Sequence, residues 1–229
     1  MMMSNAQAMI PLLPLDTVLF PGMVLSLDVE RVEERHVIDA CLDRDTPFGV
    51  VLSRPDPLGF QALPHQVGTA AYVTSYEPLD ATRMRVRAVG SERFMVTHFY
   101  RRGNVMTATV VPYPFQEAPD GKTAWLAARL RPLVMAYLEV LADVLGRPMT
   151  GEEVPTSPLA LACFTAVVLQ VDNGVKQSLL SVAALSDLLE AERRLLHQEL
   201  ALLRHVRDVV RSGHLPSLVE TPLGHVSLN

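Results

Sequence analysis

Ile10-Pro11-Leu12-Leu13-Pro14-Leu15-Asp16-Thr17-Val18-Leu19-Phe20-Pro21-Gly22-Met23 is the stretch on which the fold turns. An apolar run ends in Phe-Pro-Gly. Pro21 fixes its own φ near the value a turn needs, and Gly22 carries no Cβ to forbid a positive φ. The chain can therefore reverse sharply here, between two buried strands.

Working outward, residues 9–111 read mostly as strands. Alternating or β-rich runs fall at 17–27, 49–52, 68–76, 83–89, 93–99 and 105–111. Arg83-Met84-Arg85-Val86-Arg87-Ala88-Val89 alternates strictly, the pattern of a strand with one wet and one buried face. Turn residues punctuate the runs at Phe20-Pro21-Gly22, Pro55-Asp56-Pro57-Leu58-Gly59 and Arg102-Gly103-Asn104. One helix interrupts them over residues 32–43, with Val37, Ala40 and Cys41 on one face. Glu33 and Glu34 occupy its first turn, where the helix dipole favours acids.

Pro112, Pro114 and Pro119, with Asp120-Gly121, mark residues 112–122 as a linker. Beyond it the texture is helical. Residues 125–145 have helical spacing, with Pro132 as a kink or a first turn, and residues 159–171 are apolar all round, as suits the central helix of a bundle. Asp187 and Glu190 form a capping-box pattern. A long amphipathic helix follows to about Arg211, with Leu189, Leu196, Leu200, Leu203, Val206 and Val210 along one face. Gly213 and Pro216 stop it, leaving 212–229 as a tail. The reading is α+β: β-rich residues 9–111, a linker 112–122, and a helical unit 123–211.

The chain is long enough for such cores: 229 residues, 49% hydrophobic and 20% charged. Its net charge of −5, without a Lys/Arg block, argues against nucleic acid as the main partner. Cys41 and Cys163 are far apart in apolar helical contexts, which predicts reduced, buried thiols; two thiols cannot build a structural zinc site. The first cation is Arg31, so the start lacks the basic region of a signal peptide. The longest uncharged run, 154–171, begins with Pro155 and Pro158, and its continuous apolar part of about a dozen residues is too short to span a bilayer. A soluble, cytoplasmic protein is expected.

Residues 10–23 resemble the opening of the Lon protease amino-terminal domain, a family that begins with an apolar strand, a Pro-Leu step and a Phe-Pro-Gly turn. The likeness continues through His65-Gln66-Val67-Gly68-Thr69-Ala70-Ala71, which matches a recurrent Val-Gly-Thr before a strand. Residues 83–94, with Gly90, Glu92 and Arg93, resemble the family's hairpin. The later half, with Lys176-Gln177 and the long last helix, is similar more loosely. The resemblance covers roughly residues 9–211. It implies a PUA-like β pseudo-barrel of about six strands with one inserted helix, followed by an α-helical bundle that ends in a long helix.

It also implies a non-catalytic module that recognises unfolded or tagged polypeptides and serves as an adaptor in ATP-dependent proteolysis, with an ATP-dependent protease as partner. The alternative is a small-molecule sensor, since PUA-like barrels can host pockets. No cofactor and no metal are expected, and no membrane partner. An enzyme is not expected either: a phosphate loop needs Gly-x-x-x-x-Gly-Lys-Ser/Thr after a strand, but Gln116 stands where the first glycine belongs before Gly121-Lys122-Thr123, in a proline-rich linker. Lys176 with Ser178 or Ser181 reads as polar helix surface, and a peptidase label would attach to the family name alone. None of His36, His65, His98, His197, His205, His214 and His225 falls in a compact metal spacing, and the acidic clusters Glu33-Glu34, Glu152-Glu153 and 190–192 suit helix starts or solvated loops.

A surface that accepts varied polypeptides should be apolar and adaptable. The candidates are Phe20, Met23, Phe48, Tyr72, Tyr76 and Met84, with Phe94 and Tyr100 behind them. Leu195, Leu202 and Val209 lie off the main helical stripe and suggest a weak homodimer contact.

Overall fold

The computed structural model describes residues 7–54, 63–80, 83–103, 105–117, 121–146 and 154–211. The turn at Pro55–Gly59, Asn104, Pro119-Asp120, Glu152-Glu153, His214, His225 and the helix stop at Gly213 and Pro216 lie outside them.

Strands β1 (Ala8–Leu15) and β2 (Val24–Val29) flank the Phe-Pro-Gly turn. Helix α1 (Val32–Arg44) follows, then β3 (Phe48–Leu52), β4 (Val67–Pro78), β5 (Met84–Arg102) and β6 (Val105–Pro112). The helical half comprises α2 (Lys122–Leu145), α3 (Pro158–Val168), α4 (Asn173–Ser181) and α5 (Leu185–Arg211). This is the α+β order expected, with six strands in one sheet ordered β2-β5-β4-β3-β1-β6.

Closure comes from β5. At 19 residues it pairs with β2 and β4 along its first part and with β6 along its second. β6 also pairs with β1, and β1 runs parallel to β3, so β1-β3-β4-β5-β6 form a closed ring. All five ring strands contribute to the enclosed cluster of Ile10, Leu12, Val51, Ala70, Phe94, Val96, Met106, Ala108 and Val110. β2 stands outside the ring with β5 as its one neighbour. A second cluster joins Leu25, Val29, Met84, Val86 and Ala88 to Leu13, Phe48, Val50 and Ala71 and to Val37, Ile38 and Cys41 of α1, so α1 packs on the face that β1, β3 and β4 share with β2 and β5.

Two strand readings are corrected. The run 17–27 is not one strand: residues 16–23 form the turn and β2 begins at Val24. Nor do residues 83–89 and 93–99 make a hairpin about Gly90; they are one strand. Gly90 is needed for a close approach, not for a turn. Its N–H donates to the Met23 carbonyl at 2.9 Å, and its own carbonyl accepts from Gly22 N–H at 2.8 Å. A Cβ there would lie 2.6 Å from the Phe20 carbonyl oxygen. Gly22 itself has φ of +81°, as the turn requires. Thr69, of the Val-Gly-Thr segment, donates its hydroxyl to the Leu19 carbonyl at 2.6 Å, so two motifs distant in sequence hold one turn.

The helical half needs three corrections. α5 starts at Leu185, so Asp187 lies in its first turn and does not cap it; Glu190 pairs instead with Lys122 at 3.2 Å. Gly121-Lys122-Thr123 opens α2 and is not linker: Gly121 is its N-cap with φ of +70°. The apolar run 159–171 ends its helix at Val168, and Leu159 is at the surface. α3 packs on both α2 and α5, which lie along one another as the main pair. Pro132 sits inside α2 on its exposed side, where the chain stays helical on both sides of it.

Candidate functional site

The six candidate residues divide by burial. Phe20 and Phe48 are fully buried and Met84 is 3% exposed. Phe20 belongs to the same cluster as Leu130, Tyr137 and Leu188, which places it between barrel and helices. These three side chains are core, and so is Phe94, which lies inside the ring. Met23 and Tyr72 are half-buried, whereas Tyr76 and Tyr100 are exposed.

Strand register shows which of the accessible ones share a face. Tyr72 lies opposite Val89, and Val89 lies opposite Val24, so the three form a row across β4, β5 and β2. This row is on the face turned away from α1, and Val24 is 51% exposed. Tyr76 lies opposite Val86, which belongs to the α1-covered cluster. A register shift between Val73 and Ser75 inserts Thr74 as an extra residue, so Tyr72 and Tyr76 fall on opposite faces despite their even spacing. The accessible apolar surface is therefore Val24, Tyr72 and Val89, whereas Met23 packs against the α1-covered cluster on the other face. Beside that row Arg85 makes a two-pronged pair with Asp28, at 2.7 and 3.0 Å.

A groove of about 670 Å³ opens at the end of β1, between the start of α1 and the β5–β6 end; Leu15, Val37, Val105 and Met106 line it, with Arg31, Arg54 and Arg101. Arg31 is paired with Glu34, so part of its charge is compensated within the wall.

Polar residues at the barrel–helix junction escaped the reading of candidate sites. Arg93, 2% exposed, donates Nη1 to the Leu180 carbonyl and, at 2.8 Å, to that of Val182. Its guanidinium lies 3.2 Å from the Phe115 ring centroid and 4.7 Å from that of Tyr113. Burial lowers its pKa to about 10, which leaves it charged at neutral pH. Gln177 donates to the Val67 carbonyl at 3.0 Å, Tyr113 to that of Ser181 at 3.2 Å, and Gln116 bridges to Ala184. Glu192 on α5 is fully buried; neither carboxyl oxygen has a hydrogen-bond partner among the described residues, and burial raises its pKa well above the carboxylate range. The alternation of β5 hides Arg93 as one more wet-face arginine; the only signal was its place in the Gly90-x-Glu92-Arg93 motif.

Other side chains are committed to structural bonds. Lys176 donates to the Val167 carbonyl at 3.1 Å, Ser178 to Gly174 at 2.9 Å and Ser181 to Gln177 at 2.8 Å. Both cysteines are free and buried, and burial pushes the Cys163 thiol up to about 12. No group of three potential metal ligands occurs among the described residues. His36, His98, His197 and His205 are at the surface. Leu195 packs partly into the helical core, Leu202 is 57% exposed, and Val209 is half-buried. No helix among the described residues is long and apolar enough to cross a membrane.

Residues 9–198 match the ATP-dependent protease La (LON) substrate-binding domain. The chain is 28% identical over 207 residues to the Lon protease of Phenylobacterium zucineum and 30% identical over 217 residues to that of Koribacter versatilis. Those alignments cover 86% and 89% of this chain but 25% of each relative, so the chain spans about a quarter of their length. The fold is similar to a Lon N-terminal domain protein from Xanthomonas campestris, with a TM-score of 0.54 and 22% identity over 85% of this chain and 98% of that one. It is also similar to the N-terminal domain of the Mycobacterium avium complex Lon protease, with a TM-score of 0.64 and 21% identity over 83% and 98% of the two chains.

Proposed function

Since the chain belongs to the Lon substrate-binding domain family, we propose that it is a non-catalytic polypeptide-recognition module that acts as an adaptor for an ATP-dependent protease. The observation that carries this reading is the accessible row of Val24, Val89 and Tyr72, on a sheet face that no helix among the described residues covers. Such a row offers apolar contact without a shaped pocket, which suits clients of varied sequence. The charged residues lining the groove at the end of β1 make it a weaker candidate for the same clients.

Fluorescence anisotropy of a labelled, permanently unfolded polypeptide, followed by a gel of the same samples, tests the proposal. Saturable binding with the polypeptide intact is expected, weakened several-fold by Val24→Ser or Tyr72→Ser. Absence of binding, together with thermal stabilisation by one class of metabolite, would transfer the function to a small-molecule sensor. Cleavage of the polypeptide would refute the non-catalytic reading.

A further inference from the structure

Resting on that recognition reading, we propose that β2 is an open docking edge: a client segment in extended conformation adds to it as a further strand, with an acidic residue drawn to Arg87. The ladder sets which groups are available. Gly90 N–H donates to the Met23 carbonyl, and the register continues as Val24 with Val89 through Val29 with Met84. In an antiparallel ladder, alternate residues face the partner. Leu25, Leu27 and Val29 therefore turn their main-chain groups toward β5, as does the Met23 carbonyl. Val24, Ser26 and Asp28 turn theirs outward, where those groups meet no partner among the described residues. Three donors and three acceptors thus repeat at about 6.8 Å along the edge, the spacing of an extended chain.

Edge strands are usually blunted by lysine, proline, a bulge or a covering element. β2 reads Val-Leu-Ser-Leu-Asp-Val, contains neither lysine nor proline, and pairs with β5 without a register shift. Its one charge, Asp28, is already compensated by Arg85. Main-chain bonding to such an edge supplies affinity that does not depend on client sequence, as a recognition module requires.

Charge selects the occupant. Arg83 pairs with Asp80 and Arg85 with Asp28, but exposed Arg87 has no acidic partner among the described residues. Arg87 lies opposite Ser26, one strand in from the edge. A client acid beside Ser26 compensates it. A second copy of this chain, added edge to edge, brings another uncompensated Arg87 to the same face.

The test titrates a labelled peptide of about ten residues, alternating valine and serine around one glutamate, onto the full chain. Of the hydrogen bonds, Ser26→Pro removes the outward donor and spares those to β5, because Ser26 does not donate to β5. It should weaken binding at least about tenfold, whereas Ser26→Ala stays within about twofold. Arg87→Glu should reverse the preference from a central glutamate to a central lysine. Two further peptides, N-methylated at alternate residues in one parity or the other, are titrated onto the wild-type chain; one should lose binding and the other keep it. That comparison holds even if the proline variant misfolds. Equal binding by both N-methylated peptides and by Ser26→Pro overturns the docking edge and leaves the recognition reading standing. Failure of every unfolded polypeptide to bind overturns both. A dimer that dissociates on Ser26→Pro, without peptide binding, assigns the edge to a second copy and overturns the proposal.

Discussion

The barrel–helix junction and the β2 edge lie at the two flanks of one strand, β5, and they are built in opposite ways. At the junction Arg93 makes two hydrogen bonds to main-chain carbonyls and stacks against Phe115, while Phe20 fills the space between barrel and bundle. At the edge, Val24, Ser26 and Asp28 leave their main-chain groups open and their side chains toward solvent. Rigidity is concentrated where the two halves must hold one geometry; hydrogen-bonding capacity is left unspent where another chain could join.

Breaking the junction should cost most. Phe20→Ala empties a fully buried site shared by both halves and should destabilise by about 3–5 kcal/mol, read from urea unfolding. Arg93→Ala removes two hydrogen bonds to carbonyls that then lie buried, for a loss of about 2–4 kcal/mol. Peptide affinity measured well below the melting temperature should be unchanged in that variant. If affinity falls with the fold intact, junction and edge are coupled and the contrast fails.

Glu192 sharpens the comparison through pH. Its folded pKa is raised, so the folded state holds a proton that the unfolded chain releases above about pH 4.3. Its contribution to stability is therefore fully present below that pH and declines as pH rises toward the folded value. Glu192→Gln should melt higher than wild type, by a margin that widens from pH 4 to pH 8. A constant margin would show that the carboxyl is not the titrating group. The gentlest probe is thiol labelling. Cys163 lies in the helical core and Cys41 under the barrel, both buried, so native labelling should be slow at each. The relative rates report which half opens first, and rapid labelling of Cys163 with the barrel intact would show the junction to be loose.

Much of the architecture was legible in local patterns. The β-then-α order, the span of α1, and strands β3, β4 and β6 follow from turn residues and side-chain periodicity, which are properties of consecutive residues. The candidate surface was legible in part. Met23 and Tyr72 are accessible, but Phe20, Phe48 and Met84 carry the same apolar signal and are core. Apolarity states that a side chain avoids water, not whether the fold has room for it. Tyr76 is exposed as well, but Thr74 as an extra residue puts it on the face opposite Tyr72.

What the sequence by itself determined is the set of local choices: where Pro21 and Gly22 permit reversal, where period two gives way to period 3.6, and which motifs of the family are present. Only the tertiary structure decided that Gly90 admits the Phe20 carbonyl and does not turn the chain, that Arg93 enters the junction, and that β2 keeps one side open. Each depends on which distant segments come to lie side by side. Hydrogen-bond partners and burial are properties of that juxtaposition, and no window of consecutive residues contains them.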